Sequence, residues 1–392
     1  MTAKPRTIGV NALFYIPGEV GGTETYLRAT LIAMAEQAGT DRLVVFTNLE
    51  NHETLKADLA AFPGVTLVSL KFRAMNRMVR ILREQIELPW RVRASGVEVL
   101  WSPGYTAPVL ATCPQVVSIL DMQYKAFPHD LTFIARLATD ILVKAAARRA
   151  KRILAISEFS RGEIVKYTSA EAGKIEVVHL AASPAFGVPL TEETRTQFLR
   201  RLIPSPRPYL LCVAATYPHK NVQALIRAFG QLMPAIPHNL VLVGNARLGE
   251  PEVAKALAAL PEPARVIRLK RLAELELVAL YQGCDVFVFP SLYEGFGLPV
   301  LEGLMAGVPV VTTRCASIPE VGGDVAEYFD PGDPLALPAA IESVLGWSPA
   351  ERQARVQRGR AFARSFSWST SAARTLTILR GAMVAKGERR VH

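Results

Sequence analysis

The stretch DVFVFPSLYEGFGLPVLEGLMAGVPVVTT, residues 285–313, reads as strand, loop, helix and second strand in quick succession. Residues 286–289 are an unbroken apolar run that Pro290 ends. Gly295 and Gly297 then punctuate a short loop carrying Glu294. Pro299 suits the first position of a helix, where its missing N–H is no loss. Gly307 and Pro309 stop that helix before the next apolar run. A loop that leaves the carboxyl end of a parallel strand and feeds a helix N-terminus is where α/β sheets hold anions. Free N–H groups and the helix dipole face the ligand there. Glycines in such a loop let a phosphate or a sugar approach the backbone. Glu302 is expected in the first helical turn, where it either accepts hydrogen bonds from a ribose diol or simply complements the helix dipole. Glu294, on the loop, is expected nearer a transferred sugar.

The same alternation extends in both directions. Strand-like runs fall at residues 7–10, 42–47, 65–69, 99–102, 116–120, 152–156 and 175–179. They resume at 209–214, 239–243, 266–269, 286–289 and 308–312. Runs such as VVSIL and LVLVG are continuous rather than alternating, the pattern of strands buried on both faces in a parallel sheet. At 392 residues the chain has room for two such domains. RLIPSPRPYLL (201–211) places Pro204, Pro206 and Pro208 after a helical pattern, and this stretch is the expected joint. The expectation is an α/β fold of two Rossmann-like, doubly wound domains facing across a cleft. They span residues 1–205 and 206–366, with a closing helix at 367–385 returning to the first domain.

Half the residues are hydrophobic and a fifth are charged, a globular composition. The four cysteines form no paired spacing, and Cys212 and Cys284 lie in apolar runs, as reduced buried thiols do. No apolar window approaches the ~20 residues of a membrane-spanning helix, and the first residues are too interrupted for a signal peptide. A cytoplasmic protein is expected. Its net charge of +10 gathers in part at residues 71–93, with seven basic and two acidic residues, and at KAAARRAKR, 144–152. In the first cluster Arg73, Arg77, Arg80 and Arg83 recur at helical steps beside an apolar stripe of Met75, Met78, Val79, Leu82 and Ile86. That face is either ordinary solvated surface or one drawn to an anionic membrane. Basic and aromatic residues are not interleaved, and no nucleic-acid partner is expected.

EGFGLPVLE resembles the paired-glutamate signature of retaining glycosyltransferase family 4, of GT-B fold. PGEVGGTETYLRAT, WSPGYTAP, VVSILDMQYKAFP, ILAISEFSRGEIVKY, YPHKNVQALIRAF and SIPEVGGDVAEYFDPGD resemble further blocks of that family, in its order. The resemblance implies a retaining glycosyltransferase that moves a sugar from a nucleotide-sugar donor to a glycan or polyprenyl-linked acceptor. Cell-surface polysaccharide synthesis is the expected setting, with a mannosyltransferase among the activities it admits. A sugar-nucleotide epimerase of the same fold, or a binding protein without catalysis, are the alternatives. The implied roles are amides of Gly21 and Gly22 on the donor phosphates, Lys220 on the diphosphate, and Gly297 and Leu298 on sugar hydroxyls or phosphate. Glu294 and Asp121 would serve the sugar, and Glu302 the ribose. Leu120 stands where the family usually has histidine, and the loop before Lys220 lacks the family's arginine. His219, or Lys270 with Arg271, are the candidates to compensate, and Lys270 faces either the nucleotide or solvent. No Asp-X-Asp and no His/Cys metal spacing occurs, so no metal cofactor is expected. The protein is expected at most peripherally on the inner membrane face.

Overall fold

The computed structural model describes residues 5–19, 21–128, 132–205, 207–270 and 272–383. The chain divides into two compact units. The first comprises Met1–Leu180 with Ser367–His392, and the second Ala181–Phe366.

The first unit is built on a seven-stranded sheet of β1 (Thr7–Asn11), β2 (Arg42–Thr47), β3 (Val65–Ser69), β4 (Val99–Ser102), β5 (Gln115–Ser118), β6 (Arg152–Ala155) and β7 (Ile175–Val177). The spatial order is β3-β2-β1-β4-β5-β6-β7, and every pairing is parallel. The second sheet holds β8 (Tyr209–Val213), β9 (Asn239–Val243), β10 (Val266–Leu269), β11 (Val286–Phe289), β12 (Val310–Thr313) and β13 (Glu327–Phe329). Its order is β10-β9-β8-β11-β12-β13, again parallel throughout. Both sheets reverse their winding once, between β1 and β4 and between β8 and β11. Crevices at the carboxyl ends of such neighbouring strands are where doubly wound folds bind ligands.

Burial explains the unbroken strands. β4, β5 and β11 are buried at every residue because helices cover both faces. In the first unit Trp101 and Tyr26 meet edge to face, 5.9 Å between ring centres, and both polar tips are satisfied at Ser118 Oγ (2.9 and 2.8 Å). In the second, the helix Val222–Leu232 buries Leu225, Ile226, Phe229 and Leu232 against β8 and β9.

The joint between units differs from the one expected. It falls after Leu180, not at Pro204–Pro208, of which Pro206 lies outside the described residues. The helix Glu192–Leu202 packs on the helix Glu274–Gly283 of the second unit, with Arg201 paired to Glu276. Gln282 also accepts from Leu190 N–H (2.9 Å) and donates to Val188 O (2.8 Å). Prolines end that helix without deciding which sheet it packs against. The closing helix, Trp368–Ala382, lies on the helix Gly22–Gln37 of the first unit. Arg380 pairs with Asp41 there at 2.8 Å. Residues 384–385 of the expected closing helix lie outside the described residues.

The amphipathic segment also differs. It runs as the helix Arg77–Leu82, a π turn Arg83–Glu87 and the helix Leu88–Ala94. Its inner side carries Glu84, Leu88 and Val92, while Met78, Leu82, Ile86 and Trp90 stand in solvent, 55–76% exposed. A four-residue spacing drifts around a regular α-helix, and the wider π turn keeps these four apolar residues on one side. The expected basic face is not a free one. Arg77 donates to Thr139 Oγ1 at 2.5 Å, Arg80 is partly buried beside Glu84, and Arg83 pairs with Glu87 at 2.5 Å. Arg73 remains exposed.

Candidate active site

Two loops of the second unit carry the site, each leaving the carboxyl end of a strand beside the β8/β11 reversal. The loop after β8 ends in a tight turn, Pro218–Lys220, and Asn221 takes a left-handed φ of 53° before the next helix begins. The loop after β11 holds Glu294 and Gly297. Two contacts to one carbonyl stitch them together: Leu292 N–H and Ser291 Oγ both donate to His219 O, at 2.8 and 3.3 Å. Ser317 Oγ grips Glu294 O at 2.9 Å. The Lys220 ammonium then meets the Glu294 carboxylate, Nζ lying 2.6 and 2.9 Å from its two oxygens. Only 20% of the lysine and 11% of the glutamate side chain is exposed. Lys220 also stands 5.6 Å above the centre of the Phe289 ring. The fold thus joins two residues that the sequence had assigned to different parts of a ligand.

His219 is buried and stacks on Tyr217 at 5.5 Å. Burial, with the neighbouring Lys220 charge adding to it, pushes its pKa down to about 3, so the ring is neutral near pH 7. It cannot replace the positive charge that the loop lacks. Lys270 is exposed, and Arg271 lies outside the described residues.

Gly297 caps the helix Leu298–Ala306 at φ +104°, a left-handed backbone that side chains rarely adopt, and an added Cβ would lie 3.0 Å from Val321 Cγ2. Leu298 sits at the first helical position and Pro299 follows, so the Leu298 N–H has no partner within the helix. Glu302 is one turn further in than expected, past the first turn, and helix-dipole compensation does not explain it. Its Oε2 accepts from Tyr281 OH at 3.1 Å. Burial raises the Glu302 pKa to about 7, against the lowering effect of the tyrosine bond.

In the first unit the residues named from the sequence sit on the loops after β1 and β5. Gly21, at φ +55°, precedes the helix Gly22–Gln37, and both glycines leave open space where a side chain would be. Val20, in the same loop, lies outside the described residues. Glu24 holds the loop in shape by accepting from Gly18 N–H (2.7 Å), Tyr15 OH (3.2 Å) and Arg28 (3.4 Å). Asp121 accepts from Tyr105 OH at 2.9 Å and Gln123 N–H at 3.0 Å. Leu120 is buried, and its carbonyl accepts from Ser160 Oγ at 2.7 Å. Tyr281, Tyr105 and Glu24 were not picked out from the sequence as site residues, since each acts through a contact distant in chain or concealed in a turn. Among the described residues no group of three His, Cys, Asp or Glu side chains is placed to hold a metal ion.

Residues 207–346 match the family model of glycosyl transferases group 1. The matched stretch lies wholly within the second unit. The chain is 35% identical over 231 residues to O-antigen chain mannosyltransferase B of Escherichia coli, covering 58% of this chain and 60% of that protein. It is 31% identical over 343 residues to the serotype-specific mannosyltransferase WbdA of Escherichia coli, covering 83% of this chain but 39% of that protein. The chain therefore spans 60% of the first of these relatives and 39% of the second. The crystal structure of Anabaena Alr3699/HepE in complex with UDP and glucose matches with a TM-score of 0.74 at 18% identity. The match covers 96% of this chain and 100% of that one. At that identity the likeness is one of fold, and the fold is the two-domain α/β GT-B fold.

Proposed function

We propose that this protein is a retaining glycosyltransferase that transfers a sugar from a nucleotide-sugar donor to a glycan acceptor in cell-surface polysaccharide synthesis, with mannose as the sugar. One observation carries the reading. The stretch that matches the group 1 glycosyl transferase model holds Lys220, Glu294, Gly297 and Glu302 on the carboxyl-end loops and helix beside the β8/β11 reversal. The names of the mannosyltransferase relatives support the choice of sugar.

Each group has a physical task. The Lys220 ammonium stabilises the negative charge that builds on the departing diphosphate. Amides of Gly297 and Leu298 add the partial positive charge of a helix N-terminus. Together they neutralise the leaving group without a metal ion. Glu294, released from Lys220 as the diphosphate takes its place, turns to the sugar hydroxyls. Glu302 accepts from the ribose diol, and its bond to Tyr281 fixes the direction of the carboxylate.

The acceptor in this reading is a polyprenyl-linked glycan at an anionic membrane surface. Beside the exposed row of Met78, Leu82, Ile86 and Trp90, the helix Phe133–Arg149 exposes Phe133, Ile134, Leu137 and Ile141 by 50–80%. Arg77 bridges to that helix at Thr139 and Ala135, so the two apolar rows belong to neighbouring elements. Exposed apolar area of this extent marks an interaction surface. Arg73 lies just before the first row and Arg136 and Arg148 on the second helix, and each basic side chain near anionic lipid contributes ~1 kcal/mol. Among the described residues no helix is long and apolar enough to cross a membrane.

A thermal-shift panel of UDP, GDP and dTDP sugars, GDP-mannose included, tests donor recognition. One nucleotide class should raise the melting temperature in a dose-dependent way. A flat response across the panel contradicts the reading.

A further inference from the structure

The basic stretch 144–152 ends at a recess of the first unit that the transfer site does not use. The recess holds about 410 Å³, within the range of small-molecule sites. It lies at the amino edge of the first sheet, where β5 begins at Gln115 and β6 at Arg152, opposite the loops that bear Gly21 and Asp121. Lys151 N–H donates to Gln115 O at 2.8 Å and ties these two strand ends together.

Arg148, Arg149 and Lys151 line the recess, and no Asp or Glu does. All three are exposed, and among the described residues none of them meets a carboxylate. Lys144, one turn earlier, differs, since Asp140 neutralises it at 3.0 Å. Burial pushes the thiol of Cys113, in the wall, up to about 11, so it stays neutral and adds no negative charge. Unopposed cations around a concave surface attract an anion.

Two arginines in the last turn of the helix Phe133–Arg149 also complement its dipole. Dipole compensation explains neither Lys151, which lies past the helix end, nor Gln115 in the lining. Gln115 is 3% exposed, and its Nε2 donates to Pro108 O at 2.9 Å. That bond fixes the amide and leaves Oε1 as an acceptor, buried without a hydrogen-bond partner. A buried acceptor left unpaired carries a desolvation penalty that a ligand hydroxyl removes.

We propose that the recess binds a polyol phosphate. The phosphate lies among the forks of Arg148 and Arg149 and the Lys151 ammonium, and a neighbouring hydroxyl donates to Gln115 Oε1. The site is independent of the transfer reading. Its chemistry is offered both by a soluble glycerol or sugar phosphate and by the headgroup of phosphatidylglycerol. Arg148 stands two turns beyond Ile141 on the same face of its helix, about 10 Å along the axis. A headgroup held there would leave its acyl chains beside the exposed row of Ile134, Leu137 and Ile141.

Calorimetric titration with glycerol 1-phosphate and with inorganic phosphate tests the soluble source. Co-sedimentation with vesicles holding equal fractions of phosphatidylglycerol or phosphatidylmethanol tests the lipid source, because the two share their charge and only the first carries hydroxyls. In at least one arm wild type should prefer the hydroxyl-bearing ligand by about tenfold. Arg148→Ala with Lys151→Ala should weaken that ligand by at least about tenfold and leave the melting temperature unchanged, since both side chains are exposed. Gln115→Met should erase the preference while phosphate still binds; where it fails to fold, the arginine–lysine variant decides. A preference among soluble ligands alone assigns a small-molecule site, and one among lipids alone a headgroup site. No preference in either arm, or one that survives Arg148→Ala with Lys151→Ala, overturns the proposal and leaves the rim as solvated charge.

Discussion

Nucleotide-sugar binding should tighten about tenfold between pH 6 and pH 8, and Glu302→Gln should remove that dependence. With its pKa raised to about 7 by burial, the Glu302 carboxyl is ionised in roughly a tenth of molecules at pH 6, half at pH 7 and nine tenths at pH 8. A ribose diol donates to the ionised form, so apparent affinity scales with that fraction. The ratio across the window is about tenfold, or ~1.4 kcal/mol. The neighbouring histidine does not confuse the window, because His219 is neutral throughout it. An intact nucleotide-sugar is the ligand to use, since a terminal phosphate titrates near pH ~6 on its own account. Calorimetry in two buffers of different ionisation enthalpy should find about half a proton released per binding event at pH 7. The sign for stability is opposite. The folded state holds this proton between the ordinary carboxyl range and about 7, so the group's stabilising contribution is full below that range. It is lost as pH rises through about 7. Glu302→Gln should therefore melt above wild type at pH 8 without ligand. Equal wild-type affinities at pH 6 and pH 8, or an unchanged slope in Glu302→Gln, would refute the role given to Glu302.

Lys220→Met and Glu294→Leu should each cost about 2 kcal/mol, between the values for exposed and fully buried pairs. That corresponds to a fall of roughly 4–8 °C in the melting of the second unit, and the double variant should recover part of it in calorimetric melts; strictly additive losses would deny the coupling. Leu82→Glu, Ile86→Glu and Ile134→Glu together should abolish co-sedimentation with anionic vesicles while leaving melting and donor affinity alone, because all three side chains are already in solvent. Equal pelleting of variant and wild type would make the apolar rows plain surface. Transfer should survive excess EDTA; loss restored by magnesium or manganese would mean that Lys220 and the helix amides do not suffice for the diphosphate.

The sheets were legible because their strands are unbroken apolar or β-branched runs, the central ones buried on both faces and the edge strands β3 and β10 only partly buried. The bounds 42–47, 65–69, 99–102, 239–243, 266–269 and 286–289 are those found. β13, three residues at a sheet edge, left no such run. The place of Glu294 and Gly297 on a switch-point loop was legible too, since they occupy a local pattern of strand end, turn and helix start, whereas Lys220 was named only through the family resemblance. What the pattern could not carry was tertiary. The ion pair of Lys220 with Glu294 spans separate loops, and the Tyr281 bond to Glu302 spans two helices. A stripe at helical spacing does not say whether it faces core or water. At residues 77–94 a π turn and the inward Glu84 leave the apolar row outside. Nor could three prolines say that the helix before them packs on the second sheet rather than the first.

Glycosyl transfer itself is tested most directly by incubating the protein with GDP-mannose and a lipid-linked glycan acceptor, then following nucleotide release and the product by NMR. The account predicts acceptor-dependent release of the nucleotide, one new glycosidic bond, and the donor's anomeric configuration kept in the product. Release that ignores the acceptor, or a product with inverted configuration, would contradict it.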